Sequence, residues 1–191
     1  SGAAVAAPTP RLPDPNLTLT PLVNPSTANG WPAGAAPSAP SGLAVLRFAE
    51  ALDHPRWVSV LPNGDVLVVE TNAPPKPEDG KGIKGWFFKH FQKKAGAGVP
   101  SANRITLLRD ADGDGVAETR TVFAAGLSSP FGMALVGNTL YIANADAIVR
   151  VPYTTGSTQI ATVPTKVVDL PGGPINHHWT KNIIASTDGT K

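Results

Sequence analysis

The sequence predicts an all-β fold built from repeated four-stranded antiparallel units, and three observations predict it. Short runs rich in Val, Ile, Leu and Thr alternate with clusters of Gly, Asn, Asp and Pro, the pattern of strands and tight turns. Turns at Pro62–Asp65 and Gly137–Asn138 each sit inside a hairpin of matching form, and a third hairpin begins the same way at Trp179. All three are introduced by related segments, LDHPRW at 52–57, LSSPFG at 127–132 and PINHHW at 174–179, so the chain carries an internal repeat.

Residues 1–42 stand apart from this pattern. They hold nine of the twenty prolines and only Arg11 and Asp14 as charges. Proline fixes φ and removes an amide donor, so this segment is expected to be extended, with Leu17–Val23 lying as a strap on the following domain. Its first residues, SGAAVAA, have the small side chains found around a secretory cleavage site and suggest the mature N-terminus of an exported protein.

The domain proper is read as residues 43–191. Trp57–Leu61 and Val66–Glu70 flank an Asn-Gly turn that supplies positive φ, and Asn103–Leu108 and Glu118–Phe123 complete four strands. The second unit reads Phe131–Val136, Thr139–Ala143, Ala147–Val151 and Lys166–Leu170. A third starts with Trp179–Ala185 and a turn at Ser186–Gly189. Units whose first strand is most apolar and whose fourth is most polar have the form of β-propeller blades, with a β-sandwich as the competing fold. Two blades and a strand do not close a ring, since propellers use about four to eight blades. The expectation is therefore a partial propeller, its remaining blades supplied by further sequence or by a second chain.

Between the second and third strands of the first unit lies an insert, residues 76–98. Ile83, Trp86, Phe87 and Phe91 recur at helical spacing with Lys89 and Lys93 elsewhere, which predicts a short amphipathic helix packing its aromatics on the domain rim. A lid and a contact with anionic membrane are the alternatives.

Composition sets the outer limits. Sixteen basic against fourteen acidic side chains leave a net charge of +2, which offers no argument for a nucleic-acid partner. The absence of cysteine excludes disulfides and thiolate metal sites. There is no apolar run long enough to span a bilayer as a helix.

Two constellations carry candidate chemistry. Asp110, Asp112 and Asp114 alternate ahead of Gly115, resembling the first half of a calcium loop in which hard oxygens converge. The twelfth position of an EF-hand would fall on Thr121, so Glu118 at the ninth is the expected additional ligand. In a propeller, the loops leading into the first strands gather at one mouth of the channel. His54, Arg56, Ser128, His177 and His178 all occupy such lead-in loops and are expected to converge on one pocket.

HPRWVSVLPNGDVLVVET, NRITLLRDADGDGVAETRTVFAAGLSSPFGMAL and HHWTKNIIASTDG closely resemble the N-terminal half of the sorbosone dehydrogenase family, which is similar to the soluble quinoprotein glucose dehydrogenases. The resemblance covers residues 43–191. It implies a six-bladed β-propeller, pyrroloquinoline quinone (PQQ) and calcium as cofactors, and periplasmic oxidation of a sugar or related alcohol or aldehyde, with electrons passed to an acceptor. A histidine at the HHWTK position is then the general base, His178 before His177, a role that suits an imidazole near neutral pH. Lys181 and Arg56 are the candidate cofactor-binding cations. The relatives usually carry arginine where this chain has Lys181, which keeps the charge but lacks the planar fork. Most of the residues that hold PQQ in the family come from later blades. The alternative reading is a non-catalytic, calcium-binding propeller that binds a partner through the same mouth.

Overall fold

The computed structural model describes residues 13–14, 26–27, 29–75, 82–94, 98–173 and 176–190. The expected strap, Leu17–Val23, lies outside the described residues. Eight strands form two four-stranded antiparallel sheets of simple up-and-down order. The first holds β1 (Pro55–Val60), β2 (Val66–Glu70), β3 (Arg104–Arg109) and β4 (Thr119–Ala124). The second holds β5 (Met133–Val136), β6 (Thr139–Ala143), β7 (Ala147–Pro152) and β8 (Thr165–Asp169). The fold is all-β, with α1 (Gly82–Lys94) as the one α-helix among the described residues.

The turns follow from local chemistry. Gly64, at φ +90°, takes the left-handed conformation in the first hairpin, and its amide donates to Leu61 O at 2.9 Å. Asn63 stays at negative φ and instead donates through its side chain to Asp65 at 2.8 Å. In the second hairpin Gly137, at φ +54°, closes a two-residue turn between the paired Val136 and Thr139.

Period-2 alternation then sorts the side chains. Leu67, Val69, Ile105, Leu107 and Phe123 of the first sheet meet Met133, Leu140, Ile142, Val149 and Val151 of the second in one shared core. Fully burying side chains of this size stabilises the fold by about 1.5–3 kcal/mol each before the ordering entropy is subtracted. Polar ties reinforce the contact. Thr121 donates to Thr158 O, Ile160 N–H to Phe123 O, and Arg109, already bound to the buried Asp65, reaches Gly156 O at 3.0 Å.

The opposite face of the first sheet is mixed. Val68, Thr106 and Leu108 are buried there, whereas Val58, Val60 and Val122 are exposed. The segment before β1 runs over part of this face: Phe48 O accepts from Ala117 N–H, and Arg120 donates to Glu50 O and Ala51 O. The most buried strands are the inner ones, β2, β3 and β6, rather than the first strands: β1 is largely exposed, and every residue of β8 is exposed.

Two expectations are corrected. Residues 179–185 carry no strand, because a strand needs a hydrogen-bonded ladder, whereas the backbone bond described for this segment is the single one from Gly132 N–H, just ahead of β5, to Lys181 O at 2.9 Å. The turn at 186–189 does form, with Gly189 N–H donating to Ser186 O. Helix α1 forms as expected, but Trp86 is exposed rather than packed on the rim and stacks on His90 one turn later. No helix among the described residues is long and apolar enough to cross a membrane.

Candidate functional site

Within each sheet the antiparallel order sets the starts of the first and third strands at one end. The lead-in segments meet there, since Leu127 N–H donates to Asn103 O just ahead of β3 and aromatic rings join the three segments. Trp57 and Phe131 have ring centroids 5.5 Å apart, and Phe131 meets Trp179 edge-on at 6.2 Å. Gly132 permits the close approach of the third segment. A Cβ there would lie 2.5 Å from Asn182 Oδ1 and 2.6 Å from Ile183 N.

At this end the expected site residues have the following settings. His54 Nδ1 donates to Asp53 Oδ1 at 2.8 Å, and His54 O accepts from Thr71 N–H. Arg56 is exposed, its guanidinium directed at Thr71 O and Asn72 Oδ1. Ser128 engages through its backbone, its amide bonded to Asn144 Oδ1 and its carbonyl to Ala145 N–H. His177 and His178 are both exposed, and Lys181 Nζ donates to His178 O at 2.9 Å. Lys181 thus holds the backbone of the histidine segment instead of extending into solvent.

Below these groups lies a polar layer that the spacing of the sequence did not reveal. Glu70, at the last position of β2, is fully buried. Its carboxylate accepts from Arg104 at 3.1 and 2.7 Å, from the Thr106 hydroxyl and from the Asp53 amide. Burial pushes this carboxyl up, but the hydrogen bonds from Arg104, Thr106 and Asp53 and the Arg104 charge outweigh it and hold the pKa at about 2. Beside it, Ser101 links Thr71, the Asn72 amide and the Asn103 amide, and Asn103 Oδ1 accepts from Ser129 N–H. The available signal was a charged residue closing an apolar strand, VLVVE, with Arg104 directly opposite in the register.

The acidic loop joins β3 to β4 at the other end of the sheet, away from the histidines. Asp110, Asp112, Asp114 and Glu118 each offer a carboxylate oxygen, and these atoms all lie within 4.8 Å of one another. Gly113 and Gly115, both left-handed, turn their amides onto the two oxygens of Asp110. Those bonds, led by Gly115, hold the Asp110 carboxyl below the ordinary aspartate value. Ala111 N–H donates to Glu118, which folds the far end of the loop back onto its start. Four carboxylate oxygens gathered this closely are hard donors of the type that divalent cations such as calcium take.

Residues 42–182 match a family model described as a domain of unknown function, DUF7133. The chain belongs to the DUF7133 family. A comparison with curated proteins finds no match. The matched stretch of this DUF7133 domain takes in both sheets, the acidic loop and the lead-in segments up to Asn182. Its chemistry is divided between two poles: imidazoles and cations at one end of the sheets, and a carboxylate cage at the other.

Proposed function

We infer that this DUF7133 domain forms two successive blades and the lead-in to a third of a six-bladed β-propeller. In this reading the propeller oxidises a sugar or related alcohol or aldehyde with PQQ in the periplasm or another exported setting, its remaining blades lying outside residues 43–191. The observation that carries the reading is the Trp57–Phe131–Trp179 ring contact, because it gathers three sequence-distant lead-in segments at one end, as a propeller mouth requires. PQQ would supply the hydride acceptor. The chain's own residues supply binding and proton handling. His178 takes the proton of the substrate hydroxyl, and Lys181 holds the His178 backbone in place. A tricarboxylate quinone suits the cations present in kind: Arg56 and Lys181 would contribute to holding its carboxylates. Calcium would be bound by Asp110, Asp112, Asp114 and Glu118 as a structural ion, which the convergence of their four oxygens supports.

The test uses the full protein with PQQ and calcium supplied. His178→Ala is expected to slow sugar-dependent quinone reduction by about 100-fold to 10,000-fold, with PQQ affinity much less changed. His177→Ala should be the milder substitution. Undiminished turnover in His178→Ala rejects its role as base. A wild-type protein that binds calcium yet neither binds nor reduces PQQ is instead a calcium-binding propeller acting as a binding module, the reading favoured by the acidic loop alone.

A further inference from the structure

The insert at residues 76–98 holds six of the sixteen basic side chains but two of the fourteen acidic ones, a net charge of +4. The rest of the chain, with ten basic against twelve acidic, stands at −2. Within α1 the imbalance is complete, since Lys84, Lys89, Lys93 and Lys94 share the helix with no acidic residue. The same thirteen residues carry four of the chain's twelve Trp, Tyr and Phe side chains.

At 3.6 residues per turn, Trp86, Lys89, His90, Lys93 and Lys94 fall within one face of roughly 140°, and all five are exposed. Gly85, Phe91 and Gln92 lie on the other side and are buried or half-buried. The helix therefore turns its cations outward around a tryptophan that is 63% exposed and stacked on His90. Helix stability does not account for this arrangement. Lys89 and Lys93 are like charges four residues apart, which weakens a helix, and no acidic residue at helical spacing relieves them. Lys93 and Lys94 gain from the C-terminal end of the helix dipole, but Lys89 lies before the last turn.

Three cations spread along an exposed face are complementary to an extended negative surface. Each lysine stem can lie beside the ring while its ammonium reaches a phosphate. Tryptophan is the side chain that settles at the level of lipid headgroups. Single-stranded nucleic acid would call for a series of rings on which bases stack, and this face offers one indole, already stacked on an imidazole. We propose that the outer face of α1 is a docking surface for an anionic lipid bilayer, with Trp86 entering the headgroup layer and Lys89, Lys93 and Lys94 meeting the lipid phosphates. The helix lies in the connection from the end of β2 to the start of β3, and the return of that connection is fastened where Val99 and Ser101 bond to Thr71 and Asn72. Docking through α1 thus tethers to the membrane the end of the sheet that carries His54 and Arg56.

The test is flotation of the full protein with vesicles of phosphatidylcholine alone and of phosphatidylcholine mixed with phosphatidylglycerol. Measured without PQQ, it is independent of the oxidation reading. Wild type is expected on the mixed vesicles and not on the neutral ones. Trp86→Ala should weaken this binding roughly 10-fold, and joint replacement of Lys89, Lys93 and Lys94 by glutamine on the order of 100-fold. The replaced side chains are exposed, so the melting temperature should hold in both variants. Salt supplies a readout that needs no variant: going from about 0.1 M to about 1 M shortens the screening length from about 10 Å to about 3 Å and should release the wild type. Absence of vesicle binding, equal binding to both vesicle types, or undiminished binding in the lysine variant would overturn the proposal. Single-stranded DNA bound as tightly as the mixed vesicles, and lost in the same variants, would assign the face to polyanions in general and overturn the bilayer as its partner.

Discussion

Replacing Glu70 with glutamine should destabilise the protein in a manner set by pH. The folded carboxyl sits at about 2 against an ordinary 4.5. At about 1.4 kcal/mol per pH unit, that interval corresponds to roughly 3 kcal/mol of stability at neutral pH. The sign follows from the lowered value: the contribution is complete above the unfolded pKa and is lost as pH falls through the folded one. Glutamine keeps the size and one acceptor oxygen but loses the charge facing Arg104, whose side chain is 32% exposed and so retains some solvation. Urea unfolding of wild type and Glu70→Gln, followed by tryptophan fluorescence, should show a gap of about 3 kcal/mol at pH 7 that narrows to roughly 1 kcal/mol at pH 3. A gap of equal size at both pH values, or one below about 0.5 kcal/mol at pH 7, would refute the assignment of this stability to an ionised, buried carboxylate.

Other outcomes follow from the acidic loop and from Gly132. Chelation should lower the melting temperature of the calcium-loaded protein by several degrees, and Asp112→Ala should remove most of that response. The same response in the variant would assign the ion to other ligands. Gly132→Ala puts a methyl group 2.5–2.7 Å from Asn182 and Ile183, mostly against backbone, so a loss of about 1–3 kcal/mol is expected. Trp179 should separate from Phe131 and its emission should shift to the red, whereas unaltered emission and stability would show that the third segment is not held there.

The hairpins were legible because their determinants are local. Gly64 and Gly137 mark the turns, and the alternation on either side needs only neighbouring residues to be recognised. Residues 179–185 show the limit of that logic, since an apolar pattern states that a segment suits a ladder but not that a partner strand is beside it. The acidic loop was readable for the same local reason, its four carboxylates falling within nine consecutive residues. The Glu70 clasp was hidden because Asp53, Glu70, Arg104 and Thr106 meet only through the β2–β3 register and the return of the β1 loop. The backbone of His54, left-handed at φ +51°, runs against the sequence signal outright. Pro55 argues for extended geometry there, and long-range bonds to Glu70 and Thr71 override it.

Helix α1 stands inside the connection between two strands that pair directly, β2 and β3. Closing a flexible loop becomes harder only with the logarithm of its length, about 0.6 kcal/mol for each doubling. Here the neck of the loop is fastened by the Glu70–Arg104 ion pair, so the sheet below is insulated from what the loop contains. Residues 76–98 are thus a place where the chain accepts added length at small thermodynamic cost. Sequence of different length can be exchanged there while the pairing of β2 with β3 is kept by its own register and by the ion pair at the neck.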